Sequence, residues 1–377
     1  MEGFAGDCEF LRRAAGALKQ EKFTLIDVGC SGGIDALWRL YGDKLRAIGF
    51  DPNIEECEHL AAIETNPSIR YVPAFVDIRP DHPFARKTQG KSPWGNSPWN
   101  RLSVARTVQL RQKEIGNLPL QDKIDFNAWR QTRLADENDP VFLPEFFAKN
   151  QIADIDFIKL DVDGPDFAIL NSLDDVLSGA CVLGFGMEVN FVGSASETDH
   201  TFHNSDRFMR SHGFDLFHLT VRHYSTTALP SRYLLTVPAQ TEFGRSFQGD
   251  ALYMRDLCDP GVSAFADQLS AEKILKSAAI FAAFNLPDCA AEILVKFRSR
   301  LAGLCGAGAC DIDVLLDTLA AQAQQGSGST MGYKDYIAAF ERDDDRFYAQ
   351  KRTTGPAQPA APTGGGLRST LARIIGR

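Results

Sequence analysis

The chain has 377 residues, 44% of them apolar and 24% charged, an ordinary globular balance with room for one large domain and a smaller one. A formal charge of −9 argues against a broad nucleic-acid surface. The eight cysteines form no Cys-x-x-Cys pair, Met1 to Lys22 lacks the apolar core of a secretory signal, and no apolar run is long enough to span a bilayer; the expectation is free thiols in a cytoplasmic protein without a transmembrane segment.

In chain order, Phe10 to Leu18 reads as a short amphipathic helix. Phe23 to Val28 is an apolar strand that carries Asp27 and turns through Gly29, Gly32 and Gly33 into a helical pattern over Ile34 to Tyr41. A buried strand, a glycine turn and a helix N-terminus together make a nucleotide-type site. The glycine spacing departs from G-x-G-x-x-G, which opposes a nicotinamide dehydrogenase. A second strand, Arg46 to Phe50, ends in Asp51-Pro52-Asn53, an acid about 20 residues beyond the glycines, where it can accept from ribose hydroxyls. A third, Ile69 to Val76, ends in Asp77, placed for an adenine amino group or for pairing with Arg79.

Residues 79–150 are too long for a plain crossover. They hold a near-duplicate, Ser92-Pro-Trp-Gly-Asn and Ser97-Pro-Trp-Asn, whose Trp94 and Trp99 suit a sugar-facing lid or an anchor for the insert. Helical patterns follow at Val104 to Glu114 and Leu143 to Asn150. A fourth strand, Ile155 to Leu160, ends in Asp161-Val162-Asp163-Gly164, and a helix starts at Pro165-Asp166. Cys181 to Phe191 is a fifth strand carrying Glu188 and Asn190; a helix spans Phe202 to His212, and the sixth and seventh strands span Phe214 to Thr220 and Gly249 to Met254. Strands alternating with helices imply a doubly wound α/β sheet with helices on both faces.

Beyond residue 257 the pattern is helical at Ala271 to Asn285, Ala290 to Leu304 and Ile312 to Gln325. The division expected is a strand-and-helix domain at 1–256, a helical domain at 257–350, and a Pro/Ala/Gly-rich disordered linker with a short basic tail at 351–377. The helical region is read as an interaction module, for a protein partner or a second copy, or as a plain cap.

Several stretches resemble the FkbM family of S-adenosylmethionine-dependent O-methyltransferases. Thr24-Leu-Ile-Asp-Val-Gly-Cys-Ser-Gly32 is similar to its first motif and Gly49-Phe-Asp-Pro-Asn53 to its ribose-binding motif. Ile155-Asp-Phe-Ile-Lys-Leu-Asp-Val-Asp-Gly164 with Phe167-Ala-Ile-Leu170 is similar to its most specific signature; Gly184 to Asn190 and Gly249 to Tyr253 resemble its later strands. Asp163 stands where the family usually has Glu, and Pro165 where Ala is common. The resemblance covers residues 22–256 and implies a seven-stranded Rossmann-like methyltransferase sheet, S-adenosylmethionine as cofactor, and acceptors among sugars, glycan-linked units or secondary metabolites. The cofactor set is then Asp27, Gly29, Ser31, Gly32, Asp51, Pro52, Asp77 and Asp161.

O-methylation needs in-line positioning and removal of a hydroxyl proton. Asp161, Glu188 and His200 are the acceptor-side candidates. Asp161, Glu188 and Asn190 are an all-oxygen set of the type that suits Mg²⁺; the competing reading, which assigns no metal, has Glu188 in a structural network and Asp163 capping the next helix. His200 and His203 are three apart, a spacing that can share one helix face without a third ligand for zinc. A second functional reading is a methyltransferase-like module that binds cofactor or glycan without turnover.

Overall fold

The computed structural model describes residues 8–88, 133–162, 164–179, 181–225, 229, 231–232, 240–304, 311–325 and 330–343. The tryptophan near-duplicate, the helix expected at Val104 to Glu114, Asp163, Cys305, Cys310 and the linker and tail lie outside them.

An eight-stranded sheet organises the molecule. Its strands are β1 (Phe23–Val28), β2 (Leu45–Asp51), β3 (Ile69–Pro73), β4 (Phe157–Leu160), β5 (Gly184–Asn190), β6 (Asp215–Leu219), β7 (Arg222–Tyr224) and β8 (Arg245–Met254). The order is β3-β2-β1-β4-β5-β8-β6, with β7 also paired to β8. β1 to β5 are parallel and β8 is antiparallel to its neighbours. β7, three residues long, is the addition to the expected strands; it lies in the stretch after the sixth strand.

Side chains alternate across the sheet and meet a different layer on each face. Phe23, Leu25, Phe157, Leu183, Leu252 and Met254 point into one core, with α1 (Glu9–Ala17) and the C-terminal helices. Ile26, Val28, Ile158, Leu160, Phe185 and Met187 point into the other. There they meet α4 (Leu143–Lys149), α5 (Asp166–Ser172), α6 (Asp174–Gly179) and α7 (Phe202–Ser211). The remaining N-terminal helices are α2 (Ile54–Ile63) and α3 (Pro83–Thr88).

The C-terminal helices are α8 (Ser263–Gln268), α9 (Ala271–Ala283), α10 (Pro287–Lys296), α11 (Arg298–Leu301), α12 (Ile312–Ala323) and α13 (Tyr333–Arg342). They do not stand apart. α9 is buried over nearly its whole length, and Ile274, Leu275, Ala278 and Phe281 share one apolar cluster with the sheet. The helical region is the layer that covers one face of the sheet. Its first turns carry charge inward: Lys276 Nζ lies 2.9 Å from Asp156 Oδ1 and Lys273 Nζ 2.7 Å from the same atom, while Asp156 Oδ2 accepts from the Thr24 N–H at 2.7 Å. These groups sit at the amino ends of β1 and β4.

Two local expectations change. The helix expected over Ile34 to Tyr41 is a turn followed by a 3-10 helix at Trp38–Lys44. Side chains capture the backbone there: Asp35 Oδ1 accepts from the Leu37 N–H at 2.7 Å, and Arg39 Nε donates to the Ile34 carbonyl at 3.0 Å. The third strand stops at Pro73, and Val76 makes an isolated bridge with Val141. No helix among the described residues is long and apolar enough to cross a membrane.

Candidate functional site at the carboxyl edge of the sheet

The strand order reverses between β1 and β4, so their following loops diverge to opposite faces and leave a crevice at the carboxyl edge. Asp27 and Asp51 lie in the last two residues of β1 and β2, and Asp161 directly follows β4, all at this edge. The turn after β1 is closed by backbone: the Gly29 and Cys30 N–H groups both donate to the Phe50 carbonyl, at 2.9 and 3.0 Å. Gly29 has φ 85°, and a Cβ there would meet the Asp161 carbonyl oxygen at 1.8 Å. No side chain fits at that point, because the two loops touch through it.

Asp51 is buried, and its Oδ1 accepts from the Asn53 N–H at 2.8 Å. Burial raises its carboxyl above the ordinary range, and the Asn53 hydrogen bond opposes this. Asn53 in turn caps α2 by accepting from the Glu56 N–H at 3.1 Å. In a capping box the third helical residue would reach back to the cap. Here Asp51 fills that place, and the Glu56 carboxylate goes elsewhere: it accepts from the Gly32 N–H at 2.6 Å, with Ser31 Oγ at 3.4 Å. The glycine turn thus already holds a carboxylate, which shows that its donors fit an anion. Asp77 is half-buried, burial raises its pKa, and its Oδ1 accepts from the Ile78 N–H at 2.7 Å. The alternative partner is engaged elsewhere: Arg79 pairs with Asp81 at 2.8 Å and Glu145 at 3.2 Å.

Lys159 lies at the centre of the crevice. It is the register partner of Asp27 across β1 and β4. Its Nζ is 3.2 Å from Asp27 Oδ1 and 3.9 Å from Asp161 Oδ2, and it donates to the Gly29 carbonyl at 2.5 Å. Burial pulls the Lys159 pKa down, but Asp27 and Asp161 outweigh it and hold the ammonium above its usual range. Burial raises the pKa of Asp27, and Lys159 offsets only part of the rise. Asp27 Oδ1, despite this contact, accepts no well-aligned hydrogen bond among the described residues. Sequence reasoning passed over Lys159. Its signal was present, since a lysine between Ile158 and Leu160 in a buried parallel strand requires a partner.

On the acceptor side, Glu188 is locked. Its Oε2 accepts from Arg222 Nη1 at 3.0 Å and its Oε1 from Gln248 Nε2 at 2.8 Å. Glu188 and Asp250 are directly opposed across β5 and β8, and Arg222 bridges them, donating to Asp250 at 2.9 and 3.0 Å. Arg222, Gln248 and Asp250 were not among the sequence candidates. The Arg222 guanidinium thus already neutralises Glu188, one member of the all-oxygen set weighed for Mg²⁺, and no group of three His, Cys, Asp or Glu able to hold a metal ion occurs among the described residues. His200 Nε2 contacts the Glu188 carbonyl at 3.1 Å, so this nitrogen carries the proton; Nδ1 lies 3.2 Å from Asn190 Nδ2. The structure separates the two histidines, because His203 is exposed on α7. Asp166, fully buried, accepts from the Val162 and Gly164 N–H groups, both at 2.9 Å, and fixes the loop after Asp161.

Comparison with known proteins adds a partial family match. Residues 56–216 match the family described as the methyltransferase FkbM domain. No curated protein matches the chain at a significant level. Similar solved structures include a precorrin-6y C5,15-methyltransferase from Geobacter metallireducens, 9% identical, covering 68% of this chain and 91% of that one at a TM-score of 0.29. A SAM-dependent methyltransferase from Aquifex aeolicus is 9% identical, with coverage of 66% and 90% and a TM-score of 0.27. The family match starts within α2, so Asp27, the glycine turn and Asp51 precede it and are placed by geometry alone. Residues 56–216 of this doubly wound, Rossmann-like sheet are thus similar to the methyltransferase FkbM domain.

Proposed function

We propose that the protein is an S-adenosylmethionine-dependent O-methyltransferase acting on a hydroxyl of a sugar, glycan-linked or secondary-metabolite acceptor. The observation that carries this reading is the crevice where the strand order reverses, with acids ending β1, β2 and β4 around a glycine turn. Asp51, beside Pro52, is placed for the ribose hydroxyls and Asp77 for the adenine amino group. Gly29, Ser31, Gly32 and Asp27 face the amino-acid end of the cofactor, whose sulfonium supplies the electrophilic methyl group when bound.

Among the acceptor-side candidates, Asp161 best suits proton removal. Its side chain is 29% exposed at the crevice rim, against 6% for Glu188. Glu188, tied to Arg222 and Gln248, shapes the acceptor wall, and His200 holds the end of β5 through the Glu188 carbonyl. The first test is calorimetry with S-adenosylhomocysteine, followed by mass-spectrometric screening of glycans and nucleotide sugars with S-adenosylmethionine for a gain of one methyl group. Absence of S-adenosylhomocysteine binding overturns the cofactor reading. Binding without methylation of any hydroxyl acceptor favours the non-catalytic module. Asp161→Asn is expected to slow transfer about 10²–10⁴-fold, the range for general base catalysis; full turnover in that variant removes Asp161 from the role.

A further inference from the structure

We propose that Lys159 is a positioning residue of this crevice: its ammonium ties the Gly29 carbonyl to the Asp27 and Asp161 carboxylates, and so sets the turn after β1 and the Asp27 side chain for the amino-acid end of an S-adenosyl ligand. The proposal rests on the cofactor reading above. Three contacts converge on one nitrogen: a hydrogen bond to Gly29 at 2.5 Å, Asp27 at 3.2 Å and Asp161 at 3.9 Å. Each partner belongs to a different part of the site, namely the glycine turn, the end of β1 and the loop after β4. The Lys159 side chain is 17% exposed, so water screens these contacts little.

A hydrophobic residue would leave Asp27 as a buried carboxylate without a counter-ion. Among the described side chains, the charged groups that act on Asp27 are Lys159 on β4 and Asp35 in the turn after β1, with Asp161 against the same ammonium. The Cys30 thiol and Asp51 also lie close by. Of these only Lys159 is cationic. Loss of its charge therefore moves Asp27 toward the neutral acid, and a neutral acid no longer attracts the ligand's ammonium. Gly29 also loses the side-chain donor on its carbonyl.

The experiment compares S-adenosylhomocysteine affinity against pH for the full chain, K159M, K159R and D27N/K159M, with thermal unfolding recorded for each. K159M is expected to bind more weakly than wild type, and its acid-side loss of affinity shifts to higher pH by at least about one unit, a tenfold change in affinity over that interval. K159R keeps the wild-type profile. D27N/K159M removes both charges of the buried pair, which protects the fold, and its profile lacks the shift. A merely structural lysine lowers the melting temperature of K159M without moving the profile. Wild-type affinity and profile in K159M, or persistence of the shift in D27N/K159M, overturns the proposal while wild-type binding leaves the cofactor reading intact. Failure of wild type itself to bind overturns both.

Discussion

At the scale of single residues, the acids that end the strands are buried enough for pH to separate their roles. Asp51→Ala is expected to weaken S-adenosylhomocysteine binding by about 1.5–3 kcal/mol, the range for hydrogen bonds to a charged group; unchanged calorimetric affinity in a folded variant removes Asp51 from the site. Its pKa is raised by burial above the ordinary 3.8. Between those two values the folded chain holds a proton the unfolded chain has lost, so this group's contribution to stability is present below 3.8 and fades as pH rises through the folded value. Ligand binding runs the other way. Ribose hydroxyls need the carboxylate, so affinity falls on acidification at a higher pH than an ordinary Asp would give, and Asp51→Asn flattens that limb. Arg222 stands between the opposed carboxylates of Glu188 and Asp250. Arg222→Met leaves two buried like charges face to face and is expected to cost about 3–5 kcal/mol in urea unfolding. A stability loss under 1 kcal/mol would mean that water already screens the pair.

At the scale of elements, strand identity was legible because apolar runs flanked by turn residues have few other outcomes. Boundaries moved where side chains compete for backbone. Asp35 and Arg39 turned the helix expected after the glycines into a 3-10 segment, and the helix expected over Ala290 to Leu304 breaks at Phe297. The acids Asp27, Asp51 and Asp161 could be read in advance because each closes an apolar run. Their partners could not. Lys159 meets Asp27 only through parallel register, and Glu188 meets Arg222 only because β8 enters the sheet antiparallel between β5 and β6. Register of this kind links residues far apart in the chain, 34 positions for Glu188 and Arg222 and over a hundred for Asp27 and Lys159, and leaves no local trace. α9 illustrates the same point. Its Lys273 and Lys276 both end against Asp156 at the amino ends of β1 and β4, a partner far away in the chain. Lys276→Met is expected to destabilise the fold by about 1.5–3 kcal/mol, the range for hydrogen bonds to charged groups, since it removes one of the two ammonium partners of Asp156 and leaves Lys273 in place. Cofactor affinity of the folded variant should be unchanged, because this network lies at the opposite ends of β1 and β4. Loss of binding in a folded Lys276→Met would show that the two strand ends communicate.

At the scale of the molecule, the boundary expected at residue 256 does not divide two cores. Phe23, Leu25, Phe157 and Leu252 face Ile274, Leu275 and Phe281 in one apolar cluster. A chain ending at residue 256 would expose that whole face to water, at a cost of about 1.5–3 kcal/mol for each large side chain uncovered. Such a truncation is expected to be insoluble or to lack a cooperative thermal transition, whereas circular dichroism of a folded, cooperative fragment would restore the separate domain. The helical layer was legible as helices, with a plain cap as one of two readings, but its sharing of the sheet's core was not, because the near-continuous apolar stretch over Ala278 to Phe284 fits a buried helix of any domain.

The Glu56 contact with the glycine turn has a kinetic side. A ligand carboxylate that reaches the Gly32 N–H does not meet a bare donor; it displaces one carboxylate with another. The turn's ordering cost is borne by the free protein, so association becomes an anion exchange within a preformed loop rather than a folding event. The hydrogen bond gained and the one given up are alike in kind, and this part of the ligand adds little net enthalpy. On the proposed cofactor reading, selectivity then falls to the ribose and the base, and Glu56 is the group that the ligand's carboxylate displaces from the Gly32 N–H.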